Sequence, residues 1–140
     1  MNLEPLISAM NAQLSAEYQA VMTYNHYSAV VTGPHRPELV AFFRAEIPDE
    51  LRHAQYLADK VAALGGTPAP TALPVPVATE TKALLKNVLE AESQAVEAYK
   101  KLMDLADEAG ETGIRLQMET FLQDETNHRD EVSKILHGAW

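Results

Sequence analysis

The sequence predicts an all-α protein: a four-helix bundle made of two antiparallel hairpins joined by a long proline-rich crossover. Three observations carry this. Glycine and proline divide the 140 residues into four unusually long stretches, and the apolar spacing within them is helical rather than alternating. The chain also repeats itself at a spacing of 75 positions, so that Glu17, Tyr24, Glu50 and His53 recur as Glu92, Tyr99, Glu125 and His128. Neighbouring letters agree, since AEYQAVMTY at 16–24 matches AESQAVEAY at 91–99, and DELRH at 49–53 matches DETNH at 124–128. Finally, no stretch reads as a strand outside the segment 65–79, GGTPAPTALPVPVAT.

The first helix is expected over about 3–31, stopping at Gly33-Pro34 because proline cannot continue a hydrogen-bonded turn. A second, about 37–64, starts near Pro37, favourable at a first helical position, and ends at Gly65-Gly66. Its apolar residues Leu39, Phe42, Phe43, Ile47, Leu57, Val61 and Leu64 share the helical period. Pro48 removes a hydrogen bond within it and should kink it. Thr79 is the expected N-cap of a third helix, about 80–109, that stops at Gly110. The fourth is expected over about 112–137, before Gly138. Polyproline-like geometry would carry the crossover roughly 45 Å, enough to run the length of the bundle and make helices two and three parallel.

The length suits one domain, 1–140, with a substantial core. A formal charge of −9 argues against a nucleic-acid surface, which needs clustered Lys and Arg, and is compatible with attracting cations. With no cysteine, disulfides, thiolate nucleophiles and iron–sulfur clusters are excluded. Neither a signal peptide nor a run of about 18 apolar residues is present. The expectation is a soluble, cytoplasmic protein without a membrane partner.

Folding each hairpin at its turn brings the repeated residues to one height. The midpoint of Glu17 and Glu50 falls at Gly33-Pro34, and that of Glu92 and Glu125 beside Gly110. Glu and Tyr seven residues apart share a helix face, and Glu-x-x-His sets two side chains one turn apart. Four carboxylates in an apolar interior would repel each other and lose hydration unless some are protonated or cations neutralise them. Glu from two helices plus Glu-x-x-His from the other two is a known two-metal carboxylate arrangement in bundles. Such donors suit iron, with manganese or zinc also compatible. By pseudo-symmetry, Glu50 and Glu125 would bridge both ions, Glu17 with His53 would hold one, and Glu92 with His128 the other. Two such ions could jointly reduce dioxygen or hydrogen peroxide, each ferrous ion giving one electron.

Glu17, Glu50-Leu-Arg-His53, Glu92 and Glu125-Thr-Asn-His128, with their long crossover, resemble the bacterioferritins of the ferritin-like superfamily over nearly the whole chain. The resemblance implies a ferritin-like bundle with a ferroxidase centre that oxidises Fe(II) with O2 or H2O2 for iron detoxification or storage. It also implies that Tyr24 hydrogen-bonds a ligand carboxylate, with Tyr99 as its repeat-related counterpart, and that the chain forms a homo-oligomer, a dimer or a larger shell. Departures limit it. Leu51 stands where the family places a haem-binding Met, so haem is not expected, and Ala45 where some members place an inner-surface His. The chain ends at Trp140, 12 residues after His128, which leaves no room for the family's short fifth helix and makes storage in a cage less secure than oxidation.

Other readings accompany this one. A rubrerythrin-like peroxide-reducing enzyme, or another O2-activating two-metal enzyme, would use the same donors, although Ala95 replaces an extra Glu that such peroxidases often carry. A metal-stabilised structural bundle or coating shell would need no redox chemistry. Glu46, Asp49 and Asp124 are read either as guides for ions and an outer site or as solvated charge. His26, about half a turn from Glu17 in angle, should face away from the site, and Trp140 is expected against a neighbouring subunit.

Overall fold

The computed structural model of the chain describes residues 2–138. It contains four α-helices, α1 (Glu4–Val30), α2 (Arg36–Ala63), α3 (Thr81–Glu108) and α4 (Thr112–Leu136), and no strand among the described residues. Trp140 lies outside these. Every helix bound falls within one residue of its expected place, because the punctuation is steric. Gly65 and Gly110 take left-handed backbone angles, φ 89° and 73°, which only glycine adopts without cost. At Gly110 the turn is sealed by its N–H to the Asp107 carbonyl and by that of Glu111 to Ala106, at 3.0 and 2.8 Å. Gly65 and Gly66 repeat this pattern on Ala62 and Val61, and both are Schellman stops.

Thr79 does not cap α3. Glu80 holds the preceding extended position, without a side-chain cap, and the threonine that is used is Thr81, whose hydroxyl donates to the Thr32 carbonyl at 3.2 Å. That contact ties the start of α3 to the end of α1. α2 runs unbroken through Pro48, so the proline removes one backbone hydrogen bond without ending the helix.

The crossover climbs alongside α1 in the same direction. Asn11 bonds the Thr67 carbonyl and the Ala69 N–H, Leu73 N–H reaches the Ser15 carbonyl, Gln19 the Pro74 carbonyl, and Tyr27 the Pro76 carbonyl. Proline removes donors but not acceptors, so the polar side chains of α1 satisfy these carbonyls. Since α2 and α3 both begin where α1 ends, they run parallel, as expected.

α1 packs chiefly on α2, and α3 on α4. Apolar burial is divided into two clusters. Leu6, Met10, Leu14, Leu57, Leu102 and Met118 belong to one, and Tyr27, Val31, Phe43, Leu84, Leu85 and Val132 to the other. Between them lies a polar layer, sealed from both ends.

Candidate metal centre

That layer is formed by Glu17 of α1, Glu50 and His53 of α2, Glu92 of α3, and Glu125 and His128 of α4. None is more than 7 % exposed. Their donor atoms form two quartets, Glu17, Glu50, His53, Glu125 and Glu50, Glu92, Glu125, His128, each with all four atoms within 4.8 Å of one another. Glu50 and Glu125 are common to both. His53 Nδ1 lies 3.0 Å from Glu125 Oε1 and 3.6 Å from Glu17 Oε1, while His128 Nδ1 lies 3.1 Å from Glu50 Oε1 and 3.7 Å from Glu92 Oε2. All six residues singled out in the sequence are therefore brought together, whereas His26 is exposed as expected.

A second layer holds these groups, and each of its symmetric supports crosses between hairpins. Tyr99 donates to Glu17 Oε1 at 2.7 Å, and Tyr24 donates to Glu92 Oε1. Asp124 Oδ2 lies 2.9 Å from His53 Nε2, and Asp49 Oδ2 3.1 Å from His128 Nε2. A carboxylate accepting from Nε2–H fixes the tautomer that leaves Nδ1 free to ligate. Asp49 and Asp124 are thus partners of the imidazoles, a role read in the sequence only as ion guidance or solvated charge. A signal for it was present, because they too are 75 positions apart. Arg52 spans them, 3.0 Å from Asp49 and 3.3 Å from Asp124.

The pseudo-symmetry breaks at two positions. Gln13 donates to Glu17 Oε1 at 2.9 Å, whereas its repeat position is Val88. Glu46 Oε2 approaches His128 Nε2 to 2.6 Å. The repeat position of Glu46 is Phe121, whose ring centroid lies 4.1 Å from that of His53. One imidazole is therefore walled by an aromatic ring and the other by an additional carboxylate.

Without cations the layer must hold protons. Burial, and then the charges of Glu17 and Glu125, push Glu50 well above the usual carboxylate range. Glu125 is raised likewise by burial and by Glu92. Burial also works to raise Glu17, but hydrogen bonding with Glu50 and His53 outweighs it and holds this carboxyl low. For the imidazoles burial disfavours the charged form, yet Glu17 raises His53 and Glu46 with Glu50 raises His128. Both tyrosines are raised by burial and by the adjacent carboxylates, so they remain hydrogen-bond donors.

Even so, the side chains do not satisfy one another. Glu17 Oε2, Glu50 Oε1, His53 Nδ1, Glu92 Oε2, Glu125 Oε1 and His128 Nδ1 are buried without an aligned hydrogen-bond partner, one atom from each of the six residues, and Glu46 Oε2 on the outer side of His128 is a seventh. Buried polar atoms are rarely left so. Six orphaned oxygen and nitrogen donors facing one interior space fit a pair of divalent first-row ions.

Comparison with known proteins agrees with this fold. The profile of the ferritin-like domain family matches residues 7–138. The chain belongs to the ferritin-like family. Among ferritin-like relatives, a bacterioferritin of Streptomyces coelicolor is 27% identical over 126 residues, covering 89% of this chain and 75% of that protein. The crystal structure of a ferritin-like, diiron-carboxylate protein from Bacillus anthracis superposes with a TM-score of 0.95 at 36% identity, over 98% of this chain and 100% of that one. Dps from Thermosynechococcus elongatus shares the fold, with a TM-score of 0.90 at 17% identity over 97% and 92% of the two chains. No helix among the described residues is long and apolar enough to cross a membrane.

Proposed function

We propose that this ferritin-like protein is a ferroxidase that oxidises Fe(II) to Fe(III) with dioxygen or hydrogen peroxide, for iron detoxification or storage in the cytoplasm. The observation that carries the reading is the pair of quartets sharing Glu50 and Glu125, with one orphaned buried donor from each of six residues. Glu17 with His53 would hold one ion and Glu92 with His128 the other, and Glu50 and Glu125 would bridge them. Two Fe(II) substrates each release one electron, so that dioxygen with two protons leaves as hydrogen peroxide, or hydrogen peroxide with two protons leaves as two waters.

The chain's own groups supply the rest. Asp124 and Asp49 keep the Nε2 protons of His53 and His128 and turn Nδ1 inward. Tyr99 and Tyr24 hold Glu17 and Glu92 by one oxygen each, leaving the other free to ligate. Protons on Glu50 and Glu125 must leave when cations arrive, which couples uptake to pH. Tyr24 and the bridging Glu50 and Glu125 are the residues assigned to catalysis.

The test is aerobic titration of metal-free protein with Fe(II), followed by the ultraviolet absorbance of Fe(III). Rapid oxidation should saturate at two ions per chain, and Glu50→Ala should abolish it. Oxidation by Glu50→Ala at the wild-type rate would refute the mechanism. A homo-oligomer, dimer or shell, is part of this proposal. Met22, Leu73 and Val77 are 53%, 47% and 85% exposed, apolar surface that assembly would cover, and sedimentation velocity would measure it.

A further inference from the structure

Between α1 and α3, beneath the crossover, a cavity of about 400 Å³ opens from the surface and ends on the carboxylate layer. Its side walls include five alanines, Ala16 and Ala20 on α1 and Ala91, Ala95 and Ala98 on α3. Two of these pairs obey the repeat, since Ala16 and Ala91, and Ala20 and Ala95, are each 75 positions apart. Short side chains on both helices keep the walls apart where longer ones would meet. Leu73 and Pro76 of the crossover contribute an apolar edge, held in place by the hydrogen bonds that bind the neighbouring backbone to Ser15, Gln19 and Tyr27.

The floor is what makes this space more than a gap. Glu17, Glu50, Glu92 and Glu125 all line it, each nearly fully buried and each with one unpartnered oxygen. No lysine, arginine or histidine lines the cavity among the described residues. Gln13, Gln19, Thr23, Asn87, Glu90 and Gln94 also line the cavity, so amides, a hydroxyl and one carboxylate interrupt the alanine walls. On the opposite face, between α2 and α4, Glu46, Asp49 and Asp124 surround the outer imidazole nitrogens. Carboxylates therefore crowd that face, whereas most of the surface inside this cavity is apolar. At about 30 Å³ per liquid water, the volume corresponds to about a dozen non-hydrogen atoms, within the ordinary range of small-molecule sites.

We infer that this cavity seats a small organic ligand with an apolar body along the alanines and a single oxygen-bearing head at the carboxylate floor. The inference rests on the two-metal reading, because only cations would make that floor receptive to an oxygen donor. Co(II) and octanoate provide the test. Protein loaded with two Co(II) per chain is titrated with octanoate, and both the Co(II) visible bands and the heat of binding are followed. Saturable uptake of one octanoate per chain with altered Co(II) bands is expected. Ala20→Phe and Ala95→Phe, at partly exposed wall positions, should each weaken octanoate at least tenfold while two Co(II) still bind. An unchanged Co(II) stoichiometry reports an intact bundle, and the wild-type titration stands apart from either variant. The inference is overturned if the loaded wild type takes up no octanoate saturably, or if both variants bind it as the wild type does. Failure of the wild type to take up Co(II) would instead remove the two-metal reading, and this inference with it.

Discussion

Tyr24 donates its hydroxyl hydrogen bond to Glu92 on the opposite hairpin, and not to Glu17, seven residues before it on its own helix. Tyr99 does the reverse, bonding Glu17. Because α1 and α3 stand apart at the alanine-lined cavity, these two bonds link helices that side-chain packing joins only sparsely there. The same pairs that position the carboxylates thus hold the hairpins in register.

Removing either phenol should affect both roles. Tyr24→Phe and Tyr99→Phe are each expected to destabilise the metal-free protein by about 1.5–3 kcal/mol, as for hydrogen bonds to charged groups, measured by urea unfolding. Supports of ligands usually contribute about 10–100-fold to affinity or activity. Fe(II) oxidation should slow on that scale in both variants, and wild-type rates in both would deny the tyrosines a part in the site.

The aspartates should be unequal. Asp124 is the carboxylate hydrogen-bonded to His53 Nε2, whereas His128 Nε2 has both Asp49 and Glu46. Asp124→Asn should therefore lower Zn(II) affinity by about 10–100-fold, and Asp49→Asn by much less. Only the double variant Glu46→Gln with Asp49→Asn should match Asp124→Asn. Competition with a chromophoric chelator measures each, and equal losses for the two single variants would contradict this asymmetry.

Most of this was legible in the sequence, for identifiable reasons. Helix ends followed from Gly33-Pro34, Gly65 and Gly110, where backbone sterics decide. The six inward donors followed from a repeat that no surface pattern would keep in register. Thr79 misled, because a cap depends on which residue the incoming chain presents, and the Thr81–Thr32 contact is tertiary. Asp49 and Asp124 shared the repeat spacing, but their exchange between hairpins follows from how the two hairpins face each other, which spacing within one hairpin does not encode. Equally invisible was Phe121 on His53, a contact that sets one imidazole in a drier setting than its counterpart.

The metal-free protein should lose stability as pH rises. Glu50 and Glu125 are raised in the fold from an ordinary value of 4.5, and His53 and His128 from 6.5. A group raised on folding stabilises fully below its unfolded value, and that contribution fades as pH climbs through the folded value. Glu17, held low, has the opposite sign, and its contribution is lost only as pH falls below 4.5 through its lowered value. Asp49 is likewise held below its ordinary 3.8, so both lowered groups act only at acid pH and the four raised ones predict that Tm in chelator declines between about pH 5 and 9. Zn(II)-loaded protein should not decline over that range, since bound cations replace the protons. Calorimetry at stepped pH checks both, and a rising Tm for the metal-free form would show that the buried carboxyls are not the controlling groups.

Function and stability should oppose each other most directly at Glu50. Its carboxyl is 1% exposed and lies beside Glu17, Glu92 and Glu125, all of which act to raise it. Glu50→Gln keeps nearly the same shape while removing one member of that repelling set. Because Glu50 is raised on folding from an ordinary value of 4.5, keeping it in the fold costs more as pH climbs above that value, a cost that the amide does not carry. In chelator at pH 8 the variant should therefore unfold at higher urea than the wild type. Towards the ordinary carboxyl value of 4.5 that cost fades, and the two should converge. With Fe(II) or Zn(II) the order should invert, because the amide does not supply the anionic bridge and the variant gains little from the cations. A Glu50→Gln protein less stable than wild type at pH 8 in chelator would mean that the carboxylate is satisfied within the fold, leaving no excess charge for a pair of ions to neutralise.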